Sequence, residues 1–116
     1  DIWSLGCVLA EMATGHPLFP GDSEIDQIFK IFRQLGTPSD DVWLGVESLP
    51  DFKKEFPRWR DTHLVKVLAL GPALGDDGIE LLRACLTYNP VKRLSARCLL
   101  GLPFFRGEAG CGSEAA

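Results

Sequence analysis

The first hydrophobic stretch of the chain is unbroken. Leu5, Gly6, Cys7, Val8, Leu9 and Ala10 are consecutive and all small or apolar. No polar face interrupts them, so residues 2–14 read as a helix buried all round, which needs covering elements on every side. Gly15 to Gly21 reads as a loop punctuated by Pro17, Pro20 and Gly21. An amphipathic period follows, with Ile25, Ile28, Phe29 and Phe32 at helical spacing. Asp22 or Ser23 can cap this second helix. Asp26 stands three residues after Ser23, as in a capping box with a shorter acid. Gly36 and Pro38 end it.

The pattern then changes. Residues 37–75 are broken by Pro38, Pro50, Pro57 and Pro72, and predict a largely irregular segment with one short turn of helix near Asp40–Trp43. Trp43, Phe52, Phe56 and Trp59 are spread along it, and aromatics in a long loop pin it onto a core. A third helix is expected from about Asp77 to Thr87, with Ile79, Leu82, Cys85 and Leu86 on one face. Ser95 is placed to cap a short last helix, Ala96 to Leu100, and Pro103–Phe104–Phe105 closes the ordered part. Residues 106–116, rich in Gly, Ala, Ser and Glu, read as a disordered tail. No stretch alternates with period two for long enough to predict a strand, so the fold class is all-α.

Composition narrows the function. At 116 residues, 46% of them hydrophobic, the chain suffices for one small packed domain. A net charge of −4 and scattered basic residues argue against a nucleic-acid partner. No apolar run approaches membrane-spanning length, and no basic leader precedes one. Cys7, Cys85, Cys98 and Cys111 form no C-x-x-C pair and have no histidine nearby, so they read as reduced thiols of an intracellular protein, the first three in apolar helical surroundings. His16 and His63 read as turn or surface residues. Asp40–Asp41 and Asp76–Asp77 read as loop and helix N-terminal charges. Gly-rich phosphate loops and the G-x-S-x-G elbow are absent from the sequence. The first residue is Asp1 rather than Met, directly before apolar structure, which suggests a fragment.

Three segments in order carry a resemblance. Asp1-Ile2-Trp3-Ser4-Leu5-Gly6 is similar to the D-x-W-S-x-G segment of protein kinases. Asn89-Pro90-Val91-Lys92-Arg93-Leu94-Ser95-Ala96 looks like their D-P-x-x-R-x-[ST]-A segment. Between them, Phe19-Pro20-Gly21-Asp22-Ser23-Glu24-Ile25-Asp26-Gln27-Ile28-Phe29, then Leu35-Gly36-Thr37-Pro38 and Leu49-Pro50-Asp51-Phe52-Lys53, resemble the cell-cycle members of the cyclin-dependent kinases. Residues 1–105 therefore resemble the C-terminal portion of a kinase helical lobe, an incomplete domain. Departures are Asn89 for the usual aspartate, Gly101-Leu102-Pro103 for Ala-His-Pro, and a longer stretch at 69–75.

The resemblance implies scaffold roles. Asp1 would bond the backbone of the catalytic loop and begin the central helix, with Trp3 and Gly6 as further structural positions. Arg93 would pair with the glutamate of the A-P-E segment. From the residues alone, Asp1 reads as a helix cap and Arg93 as a solvated charge. The catalytic loop, the metal-binding D-F-G, the Gly-rich loop and the ATP-contacting lysine precede the position of Asp1 in such kinases. The stretch by itself is thus expected to hold no catalytic, cofactor or metal residue. ATP and magnesium are implied for a full-length parent that phosphorylates Ser/Thr proteins, with a cyclin bound through the absent part, in nucleus or cytoplasm.

One docking surface is implied here: small Cks-type adaptors would meet Glu24, Ile25, Asp26, Asp51 and Lys53. Periodicity alone puts Ile25 in the apolar stripe with Ile28 and Phe29. A stand-alone adaptor-binding module and a non-functional truncated product are the alternatives to a kinase part. With its first helix uncovered and Arg93 unpaired, the isolated chain is expected to aggregate or to be molten.

Overall fold

A computed structural model describes residues 1–64 and 74–106. Helix α1 spans Ile2–Thr14 and α2 Glu24–Leu35, followed by a single 3-10 turn at Val46–Ser48. Helix α3 spans Gly75–Cys85, and two one-turn helices follow, α4 at Ala96–Leu99 and α5 at Pro103–Arg106. The described residues form no strand, only one antiparallel bridge between Leu35 and Asp61. The all-α class stands.

Helix α1 packs on α3, and α3 on α5. The backbones of α1 and α3 come close at Gly6, where a Cβ would lie 2.7 Å from the Cys85 Cβ. Ala10, Phe19, Leu64, Leu82 and Leu86 form the main core, with Trp3, Cys7, Leu9 and Ile31 against it. Leu81, Cys85 and Leu99 form a second cluster, flanked by Phe104 and Phe105. Burial pushes the Cys7 and Cys85 thiols up, and both are free. Cys98, expected in apolar surroundings, is instead exposed.

Helix α1 is not covered all round. Gly6 and Ala10 are buried, but Leu5, Val8 and Met12 are 50%, 53% and 79% exposed. Those three lie one turn apart on one face. Among the described residues, α1 has neighbours only on its Gly6–Ala10 side, so the opposite stripe meets solvent.

Helix α2 begins at its expected cap, since the Asp26 amide donates to Ser23 Oγ at 3.1 Å. The reciprocal arm differs from a capping box: Asp26 Oδ2 accepts from the Asp22 amide at 2.9 Å, one residue before the cap. Gly36 ends the helix with φ 88°, and its amide returns to the Phe32 carbonyl. Helix α3 starts two residues before the expected Asp77 and stops at Cys85, while the Leu86 amide still reaches the Leu82 carbonyl. The turn near Asp40–Trp43 is present as two bonds to the Ser39 carbonyl, but the helical turn lies later, at Val46–Ser48. Asp40 caps that turn through bonds from the Gly45 and Glu47 amides.

The 37–61 segment is held as its aromatics predict. Phe56 meets Phe29 edge-on at 5.7 Å and Phe32 at 5.9 Å, and Trp59 lies 5.3 Å from Phe29. Thr37 Oγ1 donates to the Pro57 carbonyl and accepts from the Trp59 amide. Thr62 bonds the Gln34 carbonyl through both amide and hydroxyl. Asp61 receives two bonds from Arg83, at 2.6 and 3.4 Å. Most of the longer stretch at 69–75, and all of the proposed tail except Arg106, lie outside the described residues. Arg106 itself closes α5.

Candidate functional site

Two groups of residues carry the sequence-based expectations, a buttress at the start of α1 and an exposed end of α2. Trp3, one turn into α1, lies between two other rings: Phe19 at 6.3 Å and Tyr88 at 6.0 Å, both stacked. The Arg93 guanidinium lies 5.5 Å over the Trp3 ring. Its Nε donates to the Thr87 carbonyl at 2.8 Å, and a terminal nitrogen donates to the Tyr88 carbonyl at 3.1 Å. These carbonyls follow the end of α3, where a cation is favoured. Arg93 is therefore neither a solvated charge nor idle: it ties the turn after α3 to the first turn of α1. The turn is set by Asn89, whose side chain accepts from the Val91 amide and whose carbonyl accepts from the Lys92 and Arg93 amides. An aspartate at that place could accept the same bond, so the substitution leaves this turn chemistry intact.

Asp1 occupies the N-cap position of α1, with its carbonyl accepting from the Leu5 amide, but its side chain makes no capping bond. Gly6 serves the α1–α3 approach already described. Ser95 caps α4, accepting from the Cys98 amide at 3.2 Å.

Sequence reasoning missed the hub of this arrangement, Tyr88. Its hydroxyl donates to the Gly36 carbonyl at 2.6 Å, joining the ends of α2 and α3 across the molecule. Its ring also stacks on Trp43 at 6.5 Å and meets Phe32 edge-on at 6.4 Å. Burial, with a smaller contribution from the Asp61 charge, pushes its phenol far above the ordinary tyrosine range. Nothing periodic marks Tyr88; the only signals were its place beside Asn89-Pro90 and its being the sole tyrosine.

At the other group, Glu24 and Ile25 are exposed in the first turn of α2. Ile25 is 48% exposed, so it leaves the stripe in which its period had placed it, while Ile28 and Phe29 remain half-buried. Asp26 is occupied by the Asp22 amide and by Lys30, 3.8 Å away. Asp51 and Lys53 are both exposed and flank Phe52. Their link to Ile25 is indirect: Phe52 meets Phe56 at 5.5 Å, Phe56 meets Phe29, and Phe29 is one helical turn after Ile25. The structure thus brings Glu24 and Ile25 together at the surface of α2, and holds Asp51 and Lys53 exposed on the following segment.

The family model of the protein kinase domain matches residues 1–105. The chain belongs to the protein kinase domain family.

Proposed function

We propose that residues 1–105 are the C-terminal part of the helical lobe of a cyclin-dependent Ser/Thr protein kinase of the cell-cycle type. On this reading α1 is the lobe's central helix and the open Leu5–Val8–Met12 face receives the preceding part of the domain. The segment then supplies scaffold and docking surface, while phosphate transfer from ATP to protein, and cyclin binding, reside elsewhere in the parent. On this reading ATP and magnesium bind the preceding part of the parent domain, where the catalytic loop and the D-F-G segment lie in such kinases. Of the docking partners, a Cks-type adaptor on Glu24, Ile25, Asp26, Asp51 and Lys53 fits best. The half-exposed Ile25 is the observation that carries this reading, because an isoleucine at a helical core period is held at the surface.

Two measurements test it. An antibody to residues 107–116, applied to source cells, should detect a polypeptide distinctly larger than this chain; a band at the chain's own size would end the kinase-part reading. A purified Cks-type adaptor should bind the chain and lose at least tenfold in affinity on Ile25→Asp. Equal binding by that variant would remove the docking assignment. Among the described residues, no helix is long and apolar enough to cross a membrane.

A further inference from the structure

The ends of α2 and α3 enclose a cavity of about 320 Å³ that the scaffold and docking roles leave unused. That volume is at the lower end of the roughly 300–1,000 Å³ typical of small-molecule sites. It is lined by Gly36 and Thr37, by apolar Leu35, Leu86 and Trp59, and by Val42, which at 56% exposed stands at its rim. Its polar side is the Asp61–Arg83 pair with Thr87 and Tyr88.

The hydrogen-bonding capacity of that side decides what can enter. Arg83 gives Asp61 one bond from each terminal nitrogen, and Asp61 also accepts the His63 amide. A guanidinium has five N–H donors, so Arg83 retains spare ones. Tyr88 and Thr87 each donate their hydroxyl proton, to Gly36 and Arg83 carbonyls, and keep oxygen lone pairs free to accept. The cavity thus offers donors and acceptors side by side. The pair itself is neutral overall: a carboxylate ligand would meet Asp61, and an ammonium would meet Arg83. What matches is a flat, uncharged group with a carbonyl oxygen and an N–H on one edge and an apolar body against Trp59.

We propose that this cavity binds a small neutral planar amide, an aryl carboxamide or lactam, with its carbonyl toward Arg83 and its N–H toward the Tyr88 or Thr87 oxygen. The assignment is independent of the adaptor-docking reading.

Benzamide is the probe, with toluene and benzoate as matched ligands lacking the amide or carrying charge. Binding would be followed on the full chain by the indole N–H resonance of Trp59 and the side-chain Nε–H of Arg83. The measurement would be repeated with Val8→Lys/Met12→Glu, changes on the open face of α1 that do not line the cavity. Benzamide should shift both resonances saturably and bind at least tenfold more tightly than toluene or benzoate. Val42→Trp, which fills the cavity from its exposed rim, should weaken benzamide at least tenfold without disturbing the fold. Arg83→Lys should weaken it while leaving toluene unchanged. Toluene binding as well as benzamide would make this an apolar sink, benzoate binding better would make it an anion site, and no saturable binding, or binding untouched by Val42→Trp, would leave no site. Each of these overturns the proposal.

Discussion

Helix α1 and helix α2 are held by different physics. Helix α1 meets α3 through small and aliphatic residues at close approach, with Gly6 leaving no room between backbones. Helix α2 meets residues 37–61 through ring edges and hydrogen bonds to backbone, each fixing one point of an irregular chain. The first contact depends on shape along a whole helix and tolerates no added volume. The second is distributed over separate anchors, and losing one leaves the others. The two are joined at Tyr88, which touches Trp3 on one side and Gly36 on the other.

The largest expected effect lies on the side of α1 that has no counterpart on α2. The exposed Leu5, Val8 and Met12 form an apolar stripe of the kind that drives association. The chain alone should sediment as oligomers or lack a sharp thermal transition. Val8→Lys/Met12→Glu should yield a monomer by analytical ultracentrifugation. A wild-type chain that is monomeric and melts cooperatively would show that α1 needs no further cover.

Within that monomeric background, Gly6→Val probes the close-packed contact. The new side chain would meet the Cys85 Cβ and the Leu86 side chain, a neighbour that cannot withdraw without moving α3. The cost should be about 3 kcal/mol in urea unfolding, at the upper end for overpacking. Removing one anchor of the other contact, Phe52→Leu, should cost less than half as much, since Phe56 keeps its contacts with Phe29 and Phe32. Equal costs would erase the distinction drawn here.

Tyr88 tests the joint between the two regions. Its folded-state ionisation is raised, so the folded state holds the phenolic proton more tightly than the unfolded chain. The stability this contributes is complete below the unfolded tyrosine value near 10 and is lost as pH rises beyond it. Because the chain has a single tyrosine, its ultraviolet ionisation change reports this group alone. Ionisation should coincide with unfolding in alkaline titration, and Tyr88→Phe should flatten the stability profile above about pH 10. Free ionisation near pH 10 in the folded protein would place the hydroxyl in water.

The same contrast governs what could be read in advance. Helices α1, α2 and α3 were legible because their residues repeat with helical period or run apolar without break. The aromatic pins of 37–61 were legible from composition alone, though their partners were not. Ile25 misled because period describes a helix and not its neighbours: α2 is covered beside Ile28 and Phe29 but not at its first turn. The open face of α1 follows from the resemblance to an incomplete domain, although an unbroken apolar run carries no period to say which side would be open. Arg93 was marked by its motif but its partners, the Thr87 and Tyr88 carbonyls, were not; Tyr88 binds a carbonyl 52 residues away, and a side chain that binds distant backbone leaves no spacing rule in sequence. The Asp61–Arg83 pair joins two side chains 22 residues apart and leaves no spacing rule either.

That pair gives the smallest effect and the sharpest test of the anchored region. Burial alone would raise the Asp61 carboxyl, but the Arg83 hydrogen bond, the His63 amide and the Arg83 charge outweigh it and hold it below the usual carboxylate range. The side chains are 32% and 37% exposed, so solvent screens the attraction and the pair contributes on the order of 1 kcal/mol or less. A lowered folded-state value means that the stabilisation is present above the unfolded aspartate value near 4 and is lost as pH falls through the folded one. Asp61→Asn should therefore be slightly less stable than the parent at pH 7 and converge with it in acid, with the difference shrinking in high salt. The Asp61 carboxyl also holds the turn in which His63 and Leu64 take positive φ, 55° and 59°, with Leu64 fully buried in the main core. If the variant instead lost several kcal/mol independent of pH, the turn that seats Leu64 would be the true role of Asp61, and the contact of α2 with its loop would depend on one anchor rather than many.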